Sequence, residues 1–217
     1  MLTLTLARQH GAVTKILCLG AHSDDIEIGC GGTILRWLAE YPSAEVYWIV
    51  MGASGERRAE AVQSANLFLA DARRKEIVIK EFRDGYFPYM GAEIKDFFEE
   101  LKRKYAPDIV LTHYREDLHQ DHRLVSELTW NTFRSQLILE YEIVKYDGDL
   151  GAPNFFVHLT ESVAQRKIRT ILECFQSQKA KSWFTEDVFS SILRLRGIEC
   201  RAVSGFAEAF HARKLVL

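Results

Sequence analysis

Two short segments of the chain concentrate imidazole and carboxylate groups. The first, AHSDDIEIGCGGT at Ala21–Thr33, places His22, Asp24 and Asp25 within four positions. The second, DLHQDH at Asp117–His122, adds two histidines and two aspartates. Imidazole and carboxylate ligands without thiolates suit zinc, and a catalytic zinc typically takes three protein ligands and leaves one position for water.

A site of this kind could hydrolyse an amide. The metal would lower the pKa of a water molecule toward about 7 and polarise a carbonyl group. A nearby carboxylate could take the water proton, and a histidine could serve the developing oxyanion or the leaving amine. Each segment, taken alone, can also be explained as a helix N-cap. Asp24 or Asp25 would cap the helix of the first segment, and Asp117 or Asp121 would cap the helix of the second. Two such clusters at one edge of a sheet are harder to explain as caps alone.

Each segment follows a short apolar stretch that is typical of a buried strand. Lys15–Ala21 precedes the first segment and Asp108–His113 precedes the second. After the glycine-rich turn of the first segment, apolar residues at helical spacing predict a helix up to Pro42. The other predicted strands are Glu45–Met51, Glu76–Phe82 and Leu139–Lys145, and the other predicted helices are Arg57–Leu69, Glu93–Tyr105, His122–Phe133, Glu161–Gln176 and Glu186–Gly197, the last with Gly197 as its stop.

This alternation predicts an α/β fold. We expect a doubly wound, mostly parallel, Rossmann-like sheet with helices on both faces and extra helices at the C-terminus. No linker, repeat or low-complexity tract interrupts the pattern, so residues 1–217 are predicted to form a single domain. Ligands of open α/β sheets bind at the carboxyl ends of the strands. Both segments should therefore open at the same edge of the sheet.

Composition narrows the class of protein. Hydrophobic residues make up 47% and charged residues 27% of the chain, as in ordinary globular domains. The formal net charge of −2 and the lack of a Lys/Arg-rich run disfavour a nucleic-acid partner. Met1–Ala12 lacks the features of a secretion signal, and no window approaches the run of about 18 apolar residues that membrane insertion requires. Four cysteines without a C-x-x-C pair predict reduced thiols and a cytoplasmic protein.

The two segments resemble the metal-binding signatures of the PIG-L/LmbE-like zinc-dependent N-acetyl-sugar deacetylases. AHSDDIEIGCGGT is similar to the first signature of that family and DLHQDH to the second. Further similarity lies in ERRAE of the second helix, FRDG after the third strand, YAPDIVLTHY, CFQSQ and RGIECRAVSGFAEAF. The resemblance covers nearly the whole chain.

The resemblance implies a ligand set and a general base. His22, Asp25 and His122 would bind the zinc ion, and Asp24 would deprotonate the water molecule that attacks the amide. Imidazole and carboxylate ligands discriminate poorly among divalent metals, so iron(II) is a second option for the native metal.

The resemblance also implies roles for three further residues. His119 would stabilise the tetrahedral oxyanion or protonate the departing amine, and Asp121 would orient it. Arg57 opens an R-x-x-E pattern completed by Glu60, and would reach the sugar or an attached phosphate or carboxylate. The chain departs from the family pattern at Ser23, where proline is usual, and in lacking the tyrosine that some members place before the second signature.

The implied reaction is hydrolysis of the N-acetyl group of an N-acetylglucosamine-type sugar or conjugate. A second hypothesis is a different reaction at the same metal, such as hydration of an unsaturated acid, for which Arg57, Arg58 and Arg83 would supply cationic groups. A third is a non-catalytic sugar-binding protein. The sequence does not decide between a monomer and a homo-oligomer.

Other motifs are weaker. GCGGT does not match a dinucleotide fingerprint, so its glycines are expected to allow close helix packing. No G-x-S-x-G elbow is present, which disfavours a serine hydrolase. His158 could face the site from a late loop. Trp183 and Phe184 could cover a substrate, although core packing is the favoured interpretation for both.

Overall fold

The computed structural model describes residues 14–215, so the prediction for Met1–Ala12 lies outside the described part of the chain. Within this part, the seven strands are β1 (Lys15–His22), β2 (Glu45–Gly52), β3 (Arg74–Ile79), β4 (Ile109–His113), β5 (Leu137–Tyr141), β6 (Phe155–Leu159) and β7 (Phe206–Ala212). The six α-helices found there are α1 (Asp25–Glu40), α2 (Gly55–Phe68), α3 (Gly91–Lys104), α4 (Gln120–Thr132), α5 (Glu161–Cys174) and α6 (Glu186–Glu199).

The strands form one sheet in the order β3-β2-β1-β4-β5-β7-β6. The first five strands in this order pair in parallel, whereas β7 pairs antiparallel with both β5 and β6. The prediction of a mostly parallel, doubly wound α/β fold is therefore confirmed. Strands β6 and β7 are additions that the sequence analysis did not identify.

The core occupies both faces of the sheet. Along β1, side chains alternate between the faces: Cys18 packs with residues of α1, α2, α5 and α6, whereas Leu17 and Leu19 pack with residues of α3 and α4. Such period-2 alternation with apolar residues on both sides is the pattern of a central strand covered by helices. β1 is thus fixed in place by packing from both layers, and it presents His22 at its carboxyl end.

The glycines of the first segment lie inside α1, so the predicted glycine-rich turn is wrong. A Cβ atom on Gly29 would lie 2.1 Å from Cδ2 of Tyr141, and one on Gly31 would lie 2.5 Å from Cε1 of Phe68. Both aromatic side chains are fully buried. The glycines therefore allow α1 to pack closely against its neighbours, as the packing interpretation expected.

Two other predicted boundaries need correction. Gly197 does not end α6, which continues to Glu199; a Cβ atom at Gly197 would lie 2.2 Å from the carbonyl oxygen of Gly205, so close packing explains this glycine. The predicted strand up to Lys145 ends at Tyr141, where the chain leaves the sheet and enters a long loop at residues 142–154.

All four cysteines are free and buried, as expected for small apolar side chains in the core. Among the helices of the described residues, none has the length and apolar character needed to cross a bilayer.

Candidate metal centre

The candidate site lies at the carboxyl ends of β1 and β4, where the strand order of the sheet reverses. β1 pairs with β2 on one side and with β4 on the other, so the connections that follow β1 and β4 leave in opposite directions. Open α/β sheets bind ligands at such a point because the diverging loops leave a crevice. His22 ends β1 and His113 ends β4, and both are buried.

Three side chains converge in this crevice. Nδ1 of His22 lies 3.1 Å from Nε2 of His122 and 3.4 Å from Oδ2 of Asp25. Nε2 of His122 lies 3.5 Å from the same carboxylate oxygen. Ligand atoms at about 2.0–2.1 Å from a tetrahedral zinc ion lie about 3.3 Å from one another. The three atoms therefore match three corners of a tetrahedron, and their chemistry suits a divalent metal.

Other groups of ligand atoms also lie within 4.8 Å of one another: His22 with His119 and His122; Asp25 with His113 and His122; and His22 with Asp84, His119 and Asp121. His113 is poorly suited to bind a metal, because its Nε2 accepts the backbone N–H of Ala21 at 2.9 Å. Its ring instead stacks on the ring of His122, with the centroids 4.0 Å apart.

The protonation states of two of the converging residues favour metal binding. Burial raises the pKa of Asp25, but the imidazoles of His122, His113 and His22 outweigh it and hold that pKa well below the usual value. Burial and the neighbouring His113 lower the pKa of His122 to about 3. Nδ1 of His122 lies 2.9 Å from Oδ2 of Asp117. The neutral ring therefore donates from Nδ1 and keeps its Nε2 lone pair for the metal.

His22 differs from His122 in its surroundings. Burial lowers the pKa of His22, but the carboxylates of Asp25, Asp121 and Asp84 raise it well above the usual value. Nε2 of His22 lies 3.1 Å from Oδ1 of Asp84 and 3.1 Å from Oδ2 of Asp121. These two carboxylates hold the ring so that Nδ1 points toward Asp25 and His122.

Asp24 is a buried carboxylate next to these groups, with 4% of its surface exposed. It occupies the N-cap position of α1, yet its side chain makes no capping hydrogen bond. Burial and the charge of Asp25 raise the pKa of Asp24, whereas Arg57 and Lys181 lower it. The cap interpretation therefore does not account for Asp24, and its placement is compatible with proton transfer.

The first turn of α4 also differs from the aspartate-cap interpretation. His119 is the N-cap residue, and its Nδ1 accepts the backbone N–H of Asp121 at 3.3 Å. Burial and the nearby His22 lower the pKa of His119, which favours the neutral ring. Because Nδ1 accepts a hydrogen bond, the neutral ring carries its proton on Nε2. The rings of His119 and His22 have centroids 4.9 Å apart. His119 can therefore present a hydrogen-bond donor beside the three converging groups.

The carboxylate of Asp121 lies against His22 and a neighbouring loop. Its Oδ2 accepts the backbone N–H of Gly85 at 2.6 Å, and its Oδ1 accepts that of Phe87 at 3.1 Å. Its contact with His119 runs through the Asp121 backbone amide. Asp121 thus connects the loop after β3 to the ring of His22.

Arg57 reaches the site from the first turn of α2. Its Nε donates to Oγ of Ser23 at 3.1 Å, and its Nη1 donates to Oδ2 of Asp84 at 2.7 Å. Its Nη2 lies 3.9 Å from Oδ1 of Asp24. Ser23 therefore helps to hold an arginine whose side chain remains 26% exposed.

The sequence analysis gave no role at the site to four residues that lie near it: Asp84, His113, Asp117 and Lys145. Asp117 entered that analysis only as a carboxylate of the second segment and as a possible helix cap. Asp84 bridges His22 and Arg57, and Asp117 bridges His122 and Lys145. The loop positions of Asp84 and Asp117 at the carboxyl edge of the sheet were available as a signal. His113 gave no such signal, because a histidine at the end of an apolar strand is most simply interpreted as a core residue.

Several other candidates have partners outside this cluster. His158 is an exposed residue of β6, at the edge of the sheet. Phe184 is buried and Trp183 packs against the core, which agrees with the packing interpretation. Arg58 pairs with Glu81, and Arg83 stacks on Tyr86.

Comparison with known families shows to which family a chain with this site belongs. The family model described as PIG-L: GlcNAc-PI de-N-acetylase matches residues 17–133, which is more than half of the chain. The chain belongs to the PIG-L family. The matched range of the PIG-L domain includes both site segments.

Solved structures share the fold of this PIG-L protein. N,N'-diacetylchitobiose deacetylase from Pyrococcus horikoshii is 22% identical, with a TM-score of 0.67 over 92% of this chain and 84% of that chain. The zinc-inhibited form of teicoplanin deacetylase is 14% identical, with a TM-score of 0.73 over 92% and 97%. The 4-carboxy-2-hydroxymuconate hydratase from Pseudomonas putida is 16% identical, with a TM-score of 0.71 over 94% and 98%. One fold thus carries both deacetylases and a hydratase.

Proposed function

We propose that this PIG-L protein is a metal-dependent de-N-acetylase that hydrolyses the N-acetyl group of an N-acetylglucosamine-type sugar or sugar conjugate. The observation that carries the proposal is the convergence of His22, Asp25 and His122 at tetrahedral spacing. The carboxylate of Asp24 lies beside them and makes no capping hydrogen bond to the helix. Zinc bound by these three residues would supply a Lewis acid for the amide carbonyl and would lower the pKa of water.

The protein side chains supply the proton transfers. The carboxylate of Asp24 accepts a proton from the attacking water, whose oxygen forms a bond to the carbonyl carbon. Nε2–H of His119 donates a hydrogen bond to the carbonyl oxygen as negative charge develops there. The C–N bond then breaks as the nitrogen takes up the proton that Asp24 removed from water, and a free amine leaves together with acetic acid, which ionises to acetate in solution. Each step uses a group in or next to the crevice.

Arg57 supports a substrate with an anionic or hydroxyl-rich group. Its side chain is partly exposed, while Ser23 and Asp84 hold the guanidinium group near Asp24. Arg58 and Arg83 have other partners, so Arg57 is the arginine of this trio that contacts site residues. A hydratase acting on a substrate with several carboxylates would need more than one cation in the crevice. Lys181 adds a second positive charge that acts on Asp24, so substrate assays, and not the number of cations, distinguish deacetylation from hydration.

The first experiment combines the metal content of the purified protein with amine release from N-acetylglucosamine, its UDP-linked form and a thiol-linked form, each with and without a chelator. Chelator-sensitive amine release is expected. Asp24→Asn should retain the metal and lose roughly 10²–10⁴-fold in activity, whereas Asp71→Asn, an exposed residue between α2 and β3, is the matched control. Bound metal without amine release from any substrate would favour another reaction, and failure to bind zinc after reconstitution would contradict the proposal.

A further inference from the structure

Lys145 carries a mostly buried ammonium group surrounded by carboxylates. It follows β5, at the start of the loop at residues 142–154, and its side chain is only 9% exposed. Its Nζ forms an ion pair with Asp149, lies 3.1 Å from Oδ2 of Asp117 and lies 3.9 Å from Oδ2 of Asp147. A lysine is rarely buried to this extent unless it is paired.

Asp117 connects this ammonium group to the metal centre. Its Oδ2 lies 3.1 Å from Nζ of Lys145 and 2.9 Å from Nδ1 of His122, and its Oδ1 accepts the backbone N–H of His119 at 2.8 Å. Only 2% of Asp117 is exposed, so water contributes little to stabilising its charge. Lys145 is its one cationic partner among the described lysine and arginine ion pairs.

We infer that Lys145 is a positioning residue for the metal centre, which acts through Asp117 to fix the ring orientation and tautomer of His122. The inference rests on the metal site of the proposed function and is independent of the substrate. A carboxylate held in place against Nδ1 keeps the lone pair of Nε2 directed at the metal. Without the ammonium group, Asp117 would be a buried anion with no fixed cation, and its hold on His122 would weaken.

A purely mechanical role for the same residue is the competing explanation. Asp149, the second anion paired with Lys145, accepts the backbone N–H of Leu118 at 2.7 Å and so ties residues 142–154 to the loop before α4. Asp149→Ala removes this tie and leaves the contact between Lys145 and Asp117 intact. If Lys145 acts by placing its positive charge next to Asp117, Asp149→Ala should bind zinc nearly as tightly as the unsubstituted protein.

The test measures zinc affinity by chelator competition for Lys145→Met, Lys145→Arg, Asp149→Ala and Lys167→Met. Lys145→Met should weaken zinc binding by about 10–100-fold and should alter the visible spectrum of the cobalt(II)-substituted protein. Lys145→Arg, which keeps the charge, should restore most of the affinity. Lys167→Met is the control, because the side chain of Lys167 is also mostly buried, 3% exposed against 9% for Lys145, but pairs with Glu208 and the carbonyl of Ile28 and contacts none of the three proposed metal ligands.

Thermal melting of each metal-free variant shows whether it is folded. Unchanged zinc affinity in folded Lys145→Met would overturn the inference, as would an equal loss of affinity in Asp149→Ala. If Lys145→Met does not fold, an unchanged cobalt(II) spectrum and affinity in Lys145→Gln would overturn it in the same way. Weakened metal binding together with no amidase activity in the unsubstituted protein would support the role of Lys145 while contradicting the proposed reaction. Failure of the unsubstituted protein to bind zinc would overturn both.

Discussion

Nδ1 of His22 and Nε2 of His122 face each other across 3.1 Å, although the two residues are 100 positions apart in the chain. At this distance the two ring nitrogens form a hydrogen bond. In the metal-free protein, one nitrogen therefore carries a proton and the other accepts it. The acidic surroundings raise the pKa of His22, whereas burial and His113 lower that of His122. The proton therefore resides on His22 until a metal displaces it.

Zinc binding should accordingly release a proton from His22. At pH values below the raised pKa of His22, the protonated ring competes with the metal, so affinity should fall by about tenfold for each unit of pH decrease. Chelator competition between about pH 6 and about pH 8 measures this slope, and calorimetry in buffers of different ionisation enthalpy counts the protons. Zinc affinity that does not change with pH would contradict the assignment of the proton.

Arg57 should set the pH dependence of the reaction through Asp24. The general base must be ionised, and the positive charge of Arg57 lowers the pKa of Asp24 against the effect of burial. Arg57→Met removes that charge, so the pKa of Asp24 should rise and the acid limb of the kcat/KM profile should move to higher pH. Arg58→Met is the control, because Arg58 pairs with Glu81. An unshifted acid limb in Arg57→Met would argue against Asp24 as the base.

The sequence predicted the parallel part of the sheet and the meeting of the two polar segments at one edge of it, because apolar strands and adjacent polar loops leave a strong local pattern. The strand before His22 and the one before the second segment were placed within a residue or two of their observed ends. Strand β7 was missed because it is inserted between β5 and β6, and such pairing depends on contacts distant in sequence. Propensity alone does not determine these contacts.

Side-chain networks were less predictable than the strands. Lys145 was assigned to the end of a strand, but the chain leaves the sheet after Tyr141 and turns the ammonium group toward Asp117. Likewise, GCGGT looked like a turn because glycine disfavours helices, whereas tertiary packing against Tyr141 overrides that propensity. Both differences arise from contacts that local sequence patterns do not encode.

Gly29 offers a direct test of that packing. The Cβ atom of Gly29→Ala would overlap the ring of Tyr141, whose hydroxyl donates to the carbonyl of Leu19 at 2.6 Å. Since the ring is buried and held at both ends, overpacking should reduce the free energy of unfolding by about 1–3 kcal/mol. Chemical denaturation measures the change. Gly91→Ala is the control, because a Cβ atom there meets nothing within 4 Å and its φ of −56° suits alanine, so stability should be unchanged or slightly higher. Equal stabilities for the two variants would contradict the packing role of Gly29.

Glu27 should make the metal-free protein less stable as pH rises. Its side chain is fully buried in α1, and neither carboxylate oxygen has a hydrogen-bond partner in the described part of the chain. Burial raises its pKa well above the usual value, against a smaller opposing effect of the nearby Ser64 hydroxyl, which forms no hydrogen bond with it in this geometry. The folded state therefore retains a proton that the unfolded state releases above about pH 4.3. From that pH up to the raised pKa, Glu27 should cost up to about 1.4 kcal/mol of stability per pH unit.

Glu27→Gln removes the titrating group while keeping the size of the side chain. The free energy of unfolding of the original protein, relative to this variant, should fall as pH rises from about 5 to about 8 in the presence of a chelator. Other ionisable groups are common to both proteins, so the difference isolates Glu27. Glu173→Gln, on the exposed surface of α5, should show no such trend. A difference between Glu27→Gln and the original protein that stays constant over this range would mean that Glu27 ionises in the folded state as it does in the unfolded chain.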